Sequence, residues 1–191
     1  EKASNNHYNC PVMAYYAELL NSNMEELSNV KFLYPYLNIN DRAHLSKALY
    51  AYLNGFFPGI ARREVSSAVG AAFKARENYA AAVRAEGERA LKYARENGMR
   101  VMILAGRPYH IDTEICHGID KLATSLGFVV VSEDSVYQLA EPQSVKVLNQ
   151  WTYHARLYRA AAFAAGNGDV ELVQLVSFGC GVDAITTDEV R

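Results

Sequence analysis

The stretch that decides the fold is VELVQLVSFGCGVDAITTD, residues 170–188. Its first seven residues carry apolar side chains on both faces, which is typical of a strand buried within a parallel sheet. A turn follows at residues 177–181, and VDAI after it favours a helix start. Cys180 is therefore expected where a strand ends and a helix begins, the edge at which open α/β sheets bind ligands and helix amides favour a thiolate. A small buried cysteine packed at a turn is the alternative.

Two further segments, residues 101–105 and 128–131, also have the apolar character of buried strands. A helix is predicted between them, at residues 113–126, and ends before Gly127. Strand, helix and strand in this order predict a right-handed parallel crossover. A helix at residues 151–165 then leads back to the strand at Val170. The predicted fold class is α/β, a Rossmann-like parallel sheet flanked by helices.

Polar residues follow each predicted strand. Arg107 and His110 come after the first, Glu133 after the second and Cys180 after the third. Because parallel strands end at one edge, these loops are expected to meet there. Arg107 and His110 could bind an anionic group. A role in capping loops or helices, with no ligand, is the alternative for these polar residues.

The first part of the chain contains a second cysteine at a predicted helix start. Cys10-Pro11 precedes apolar residues at helical spacing, and proline suits the first turn. Residues 30–35 indicate a short strand stopped by Pro35. Asp41 is the predicted N-cap of a helix that ends at Asn54-Gly55.

Residues 60–97 favour a long helix, which would span about 55 Å if unbroken. An interruption is expected near Gly70 or Gly87, because glycine weakens helices. Its interleaved charges indicate a solvated face. The predicted organisation is residues 1–58 as the N-terminal part of a split α/β region, 59–98 as a long helical connection and 99–191 as the Rossmann-like domain, all within a fragment of a longer protein.

Composition narrows the class of function. The 191 residues carry a net charge of -2, which gives no general attraction for nucleic acid. No apolar run has the length of a membrane span. Three widely spaced cysteines do not form a disulfide framework, so a reducing cytoplasm is the expected compartment. Glycine-rich nucleotide fingerprints and zinc-finger spacings are absent from the sequence.

Several motifs taken together resemble a known family. They are Cys10-Pro11, GRPYHID (106–112), HGI (117–119), SED (132–134), NQWTYH (149–154) and SFGCGVDA (177–184). They are similar to motifs of the acyl-CoA dehydratase activase-related proteins, which are in turn similar to the 2-hydroxyglutaryl-CoA dehydratase and benzoyl-CoA reductase systems. The resemblance covers nearly the whole chain.

The resemblance implies a Rossmann-like module that helps to hold a 4Fe-4S cluster for ATP-driven one-electron transfer. Cys10 and Cys180 are then the expected cluster ligands, and Arg107, His110 and Glu133 the expected substrate-facing or ligand-supporting residues. The expected partners are an ATP-binding activase domain and an acyl-CoA. With only two well-placed cysteines, the fragment alone is expected to fold without a cluster and to be inactive. Cys116 lies outside the ligand set that the resemblance implies.

Two other functions remain open at this point. The first is a non-catalytic module that docks an acyl-CoA or a partner domain, with cysteines that only pack. The second is an enzyme that uses Cys180 as a nucleophile with a histidine, although no oriented base is evident from the sequence.

Overall fold

The computed structural model of the chain describes residues 10–146, 149, 151–177 and 179–190. The opening segment 1–9 and the motif positions Gln150 and Phe178 lie outside these residues. The chain divides into two compact units, one within Tyr8–Asn78 and the other within Tyr79–Arg191. Among the described residues, no helix combines the length and the apolar character that crossing a membrane requires.

Helices make up most of the regular structure. In chain order they are α1 (Pro11–Asn23), α2 (Arg42–Asn54), α3 (Arg62–Glu96), α4 (Ile119–Ser125), α5 (Glu133–Val136), α6 (Thr152–Ala165) and α7 (Gly181–Val190), with 3-10 helices at Glu25–Asn29, Pro108–Ile111 and Tyr137–Leu139.

The C-terminal unit contains a parallel sheet. Its strands are β1 (Arg100–Ala105), β2 (Phe128–Ser132) and β3 (Val170–Gln174), in the order β2-β1-β3. Val101 is aligned with Val129 on one side and with Val170 on the other. The central strand, β1, is the most deeply buried, as its apolar sequence requires. The predicted α/β class, with a parallel sheet flanked by helices and a long helix, is confirmed.

The main core lies between this sheet and the helices packed against it. It is formed by apolar side chains of β1, β2, β3, α5, α6 and the second half of α3: Leu91, Ala94, Val101, Ile103, Ala105, Val131, Val136, Leu157, Ala160, Phe163 and Val170. This core fixes the ends of β1 and β3, from which the candidate site is built.

The predicted interruption of the long helix is wrong, because α3 continues from Arg62 to Glu96. Glycine costs a helix about 1 kcal/mol relative to alanine, which neighbouring helix formers and packing can offset. Gly70 and Gly87 each lie close to another residue of the same unit, where a larger side chain would collide. A Cβ added to Gly87 would lie 2.5 Å from the backbone oxygen of Ser135, and one added to Gly70 would lie 2.5 Å from Arg42 Nη2.

The N-terminal unit is helical around a small core of Leu45, Val65 and Val69. As predicted, α2 begins after Asp41, whose side chain accepts a hydrogen bond of 2.9 Å from the His44 backbone N–H. The predicted strand at residues 30–35 is wrong, since this segment is irregular. No strand of this unit's described residues is available to pair with it, and Pro35 lacks a backbone donor.

The helix predicted at residues 113–126 is shorter than expected. It begins only at Ile119, because His117 and Gly118 both have left-handed backbone conformations, with φ of 53° and 75°. Two consecutive residues in this region cannot continue a right-handed helix. The turn before them buries Cys116.

Candidate functional site

The candidate site lies at the carboxyl ends of β1 and β3, which are neighbours in the sheet. The chain leaves β1 toward β2 on one side and returns to β3 on the other, so the strand order reverses at β1. Ligands of open α/β sheets bind outside the strand ends at such a point. Here the loop after β1 contributes Arg107, and the loop after β3 contributes Cys180.

The guanidinium of Arg107 connects the two loops. Its Nη2 donates to Cys180 Sγ over 2.8 Å and to Asp183 Oδ1 over 2.8 Å. The Asp183 side chain is 7% exposed and that of Arg107 is 22% exposed, so their ion pair is mostly shielded from water. Opposite charges interact strongly under such conditions. We call Arg107, Tyr109, His110, Ser177, Cys180 and Asp183 the Arg107 cluster.

Ser177 holds the remaining members of the cluster together. Its backbone N–H donates to Asp183 Oδ2 over 2.7 Å, and its Oγ lies 2.6 Å from Tyr109 Oη. His110 Nδ1 accepts from the Arg107 backbone N–H, so in the neutral ring Nε2 carries the hydrogen and donates to Ser177 Oγ over 3.1 Å. Gly106 makes room for this ring, because an added Cβ would lie 2.6 Å from His110 Nδ1.

These contacts set the charge of the cluster. Burial raises the pKa of the Cys180 thiol, but hydrogen bonds from Arg107 and from the Asp183 and Val182 backbone N–H groups outweigh burial, and the net pKa is lowered. Burial and the nearby Arg107 charge lower the pKa of His110, against the opposing effect of Asp183. These contacts therefore favour the thiolate of Cys180 and the neutral imidazole of His110.

His154, on the first turn of α6, borders this cluster. It is buried, and its Nε2 lies 4.0 Å from Asp183 Oδ1. Burial and Arg107 lower the pKa of its imidazole, although Asp183 opposes them. His154 lies in the NQWTYH motif, but no role was predicted for it from the sequence. The sequence likewise gave Tyr109, Ser177 and Asp183 no role, although all three lie inside the quoted motifs.

Glu133 follows β2 and does not join the Arg107 cluster through any hydrogen bond or ion pair that the described residues show. It is buried, and its Oε1 accepts from Arg156 Nη2 over 3.1 Å. Burial raises the pKa of the Glu133 carboxyl to about 7, even though Arg156 lowers it. The pair connects the end of β2 to α6. Its predicted role beside a substrate stays a prediction.

The other two cysteines occupy different surroundings. Cys10 precedes Pro11 at the start of α1, in the N-terminal unit. That Cys10 and Cys180 share a site stays a prediction. Cys116 is buried in the turn before α4, where its thiol contacts Asp120 Oδ1 at 3.5 Å. Cys116 and Cys180 are free thiols.

The Arg107 cluster contains one residue suited to ligate an iron–sulfur cluster, Cys180. Hydrogen bonds to a cysteine sulfur, of the kind that Cys180 receives, are among the features that tune iron–sulfur centres. Over the described ranges, however, no group of three or more His, Cys, Asp or Glu residues could hold a metal ion. Cys180 thus fits a single ligand position, and the other ligands would come from elsewhere.

Fold and site define an α/β domain with Cys180, whose neighbours lower its thiol pKa, at the edge where open α/β sheets bind ligands. The family model described as "CoA enzyme activase uncharacterised domain (DUF2229)" matches residues 1–136. The chain therefore belongs to this family, and the resemblance found in its motifs is confirmed. The matched residues include Cys10, Arg107, His110 and Glu133 and end before Cys180. Comparisons with curated proteins and with solved structures found no match.

Proposed function

We propose that this domain contributes a thiolate ligand, Cys180, to a 4Fe-4S cluster in an activase system that acts on acyl-CoA substrates. The family supports the activase setting. The observation that carries the proposal is the Cys180 sulfur, which receives hydrogen bonds from Arg107 and from backbone N–H groups at the start of α7. Such donors favour the thiolate, which is the form that binds iron.

The residues of the chain have distinct tasks in this proposal. Arg107 balances the negative charge at the sulfur, and Asp183 holds Arg107 in place from its other side. Ser177 fixes Asp183 through its backbone N–H and fixes the β1 loop through Tyr109 and His110. The sulfur is therefore held by a network that spans both loops.

A bound 4Fe-4S cluster supplies reversible one-electron transfer. Cys10 is the second ligand that we propose from this chain, at the start of α1. Since such clusters take about four cysteines, the rest would come from other segments of the activase protein. Arg107 is assigned to the sulfur rather than to a substrate phosphate, because its Nη2 is already engaged with Cys180 and Asp183.

We further propose that the partner is an ATP-binding activase domain, which drives electrons through the cluster to radical dehydration or reduction of an acyl-CoA. A reducing cytoplasm is the proposed compartment, because thiols stay reduced there and can bind iron.

Anaerobic reconstitution with iron and sulfide tests the proposal. The 191-residue chain is compared with a longer protein that carries this chain together with further cysteines of the activase. The longer protein is expected to take up about four irons per chain, and the short one little. Stoichiometric uptake by the short chain would make Cys116 or an external group a ligand. Uptake by neither would favour a docking module without a cluster.

A further inference from the structure

Within the part of the chain that the structure describes, the start of α6 has no side-chain cap for its first backbone N–H groups. The N-cap residue, Trp151, provides no side-chain cap, and the first turn contains no acidic residue. The first N–H groups of a helix have no partner within the helix itself. The start of α2 differs, since Asp41 accepts a hydrogen bond from the His44 N–H there.

Two buried ring nitrogens belong to residues at the start of α6. Trp151 Nε1 and His154 Nδ1 have no hydrogen-bond partner among the described residues. His154 is only 6% exposed, and its ring centroid lies 5.3 Å from that of Trp151. Buried polar groups without a partner are rare in native structures and call for an explanation.

The chemistry of these groups specifies what they can bind. Indole Nε1 and backbone N–H groups are only donors. His154 joins them in the neutral tautomer that carries its hydrogen at Nδ1, because its Nε2 lies 4.0 Å from Asp183 Oδ1, which is too far for a hydrogen bond that would fix the other tautomer. They therefore require an acceptor. The other side of the His154 ring faces Asp183, whose charge is balanced by Arg107. The dipole of the 14-residue helix α6 then favours negative charge at its start.

We propose that the start of α6 binds a small oxyanion, the carboxylate or phosphate group of a ligand, through Trp151 Nε1, His154 Nδ1 and the first backbone N–H groups of the helix. Helix starts are common anion sites because N–H groups and dipole act together. The site needs no metal, and it stands whether or not Cys180 binds a cluster.

Trp151 is the single tryptophan of the chain, so its fluorescence reports directly on this site. The 191-residue chain is titrated with acetate and, separately, with inorganic phosphate, at constant ionic strength maintained with chloride. A saturable change in emission with either anion is expected, and the tighter of the two identifies the ligand group. Emission that responds no differently from the chloride reference would overturn the proposal.

Substitution of His154 tests its part in the site. His154→Phe fills similar space without a ring nitrogen and is expected to weaken binding about tenfold or more, as loss of a hydrogen bond to a charged group implies. His44→Phe is the control, since His44 is also the third residue of its helix but is exposed. Equal affinity of His154→Phe and the unsubstituted chain would also overturn the proposal. If His154→Phe does not fold by circular dichroism, the titration of the unsubstituted chain decides.

Discussion

Arg107 Nη2 and Cys180 Sγ lie 2.8 Å apart, although 73 residues separate them in the sequence. The contact depends on the adjacency of β1 and β3, which brings the ends of both strands to the same place. The same guanidinium nitrogen also contacts Asp183. Arg107 thus shares its charge between a sulfur and a carboxylate at the edge of the sheet.

Arg107→Gln is expected to make Cys180 less reactive near neutral pH. Burial would still raise the pKa of the thiol, while one of the hydrogen bonds that lower it would be lost. Alkylation of Cys180 by iodoacetamide at pH 7 should slow by about threefold to tenfold. The midpoint of the alkylation rate as a function of pH should shift to higher pH. Mass spectrometry that resolves the individual cysteines of metal-free protein gives this rate.

The matched control for Arg107 is Arg95→Gln. Arg95 pairs with Asp169 across a partly exposed contact of 3.0 Å. Its loss should leave the Cys180 profile unchanged. A profile equally unchanged in Arg107→Gln would show that the arginine does not tune the sulfur.

Asp183→Asn is expected to destabilise the fold by about 2–4 kcal/mol, because it removes one of the two groups whose negative charge balances the mostly buried Arg107. Asp169→Asn should cost at most about 1 kcal/mol, as is usual for an exposed pair. Urea unfolding followed by circular dichroism compares the two. Equal losses would mean that the Arg107–Asp183 pair contributes no more than a surface ion pair.

Gly87→Ala should destabilise the protein by about 1–3 kcal/mol despite the better helix propensity of alanine, since the new Cβ meets the Ser135 backbone. Gly70→Ala places its Cβ against the flexible end of Arg42 instead. That side chain can move, so a gain of about 0.5–1 kcal/mol is expected. Thermal unfolding of both variants tests this difference, and equal effects would refute it.

Glu133 is expected to make stability fall as pH rises. Its carboxyl pKa is raised from 4.5 to about 7, mainly by burial. Between these values the folded state binds a proton that the unfolded state has released, so unfolding becomes easier as pH increases. Below this window the protonated Glu133 contributes its full stability. Above the window that contribution is lost, and stability no longer changes with the titration of this carboxyl.

In the unsubstituted protein, Glu133 should lower the unfolding free energy by about 3 kcal/mol between pH 5 and pH 8. Glu133→Gln should remove this decrease. Glu88→Gln, at an exposed position of α3, is the control and should keep the original slope. Identical slopes in all three proteins would show that Glu133 titrates normally.

The strands and most helices could be predicted because their signals are local. β1 and β3 are apolar runs of strand length, and the N-cap of α2 is set by Asp41. The packing of α3 could not be predicted in this way. From sequence alone, a glycine within a helix indicates a break. At Gly87 the glycine instead allows the Ser135 backbone to pack closely, and this contact depends on the tertiary fold.

The candidate site was predictable only in part. Residues at strand ends could be named, since parallel strands share an edge, but their partners could not. The strand order decides that the β1 loop contacts the β3 loop, and the burial of Glu133 against Arg156 depends on how α6 packs. Asp183, which holds Arg107, lies in a stretch from which the sequence predicts only a helix start.

The most direct test of the central claim is the iron content of the longer activase protein after anaerobic reconstitution, measured for the unsubstituted protein, Cys180→Ser and Cys116→Ser. Cys116 is the matched control, a buried cysteine outside the Arg107 cluster. We predict about four irons per chain for the unsubstituted protein and Cys116→Ser, and loss of at least half of them in Cys180→Ser. Full iron content and an unchanged absorption spectrum in Cys180→Ser would contradict the assignment of Cys180 as a ligand.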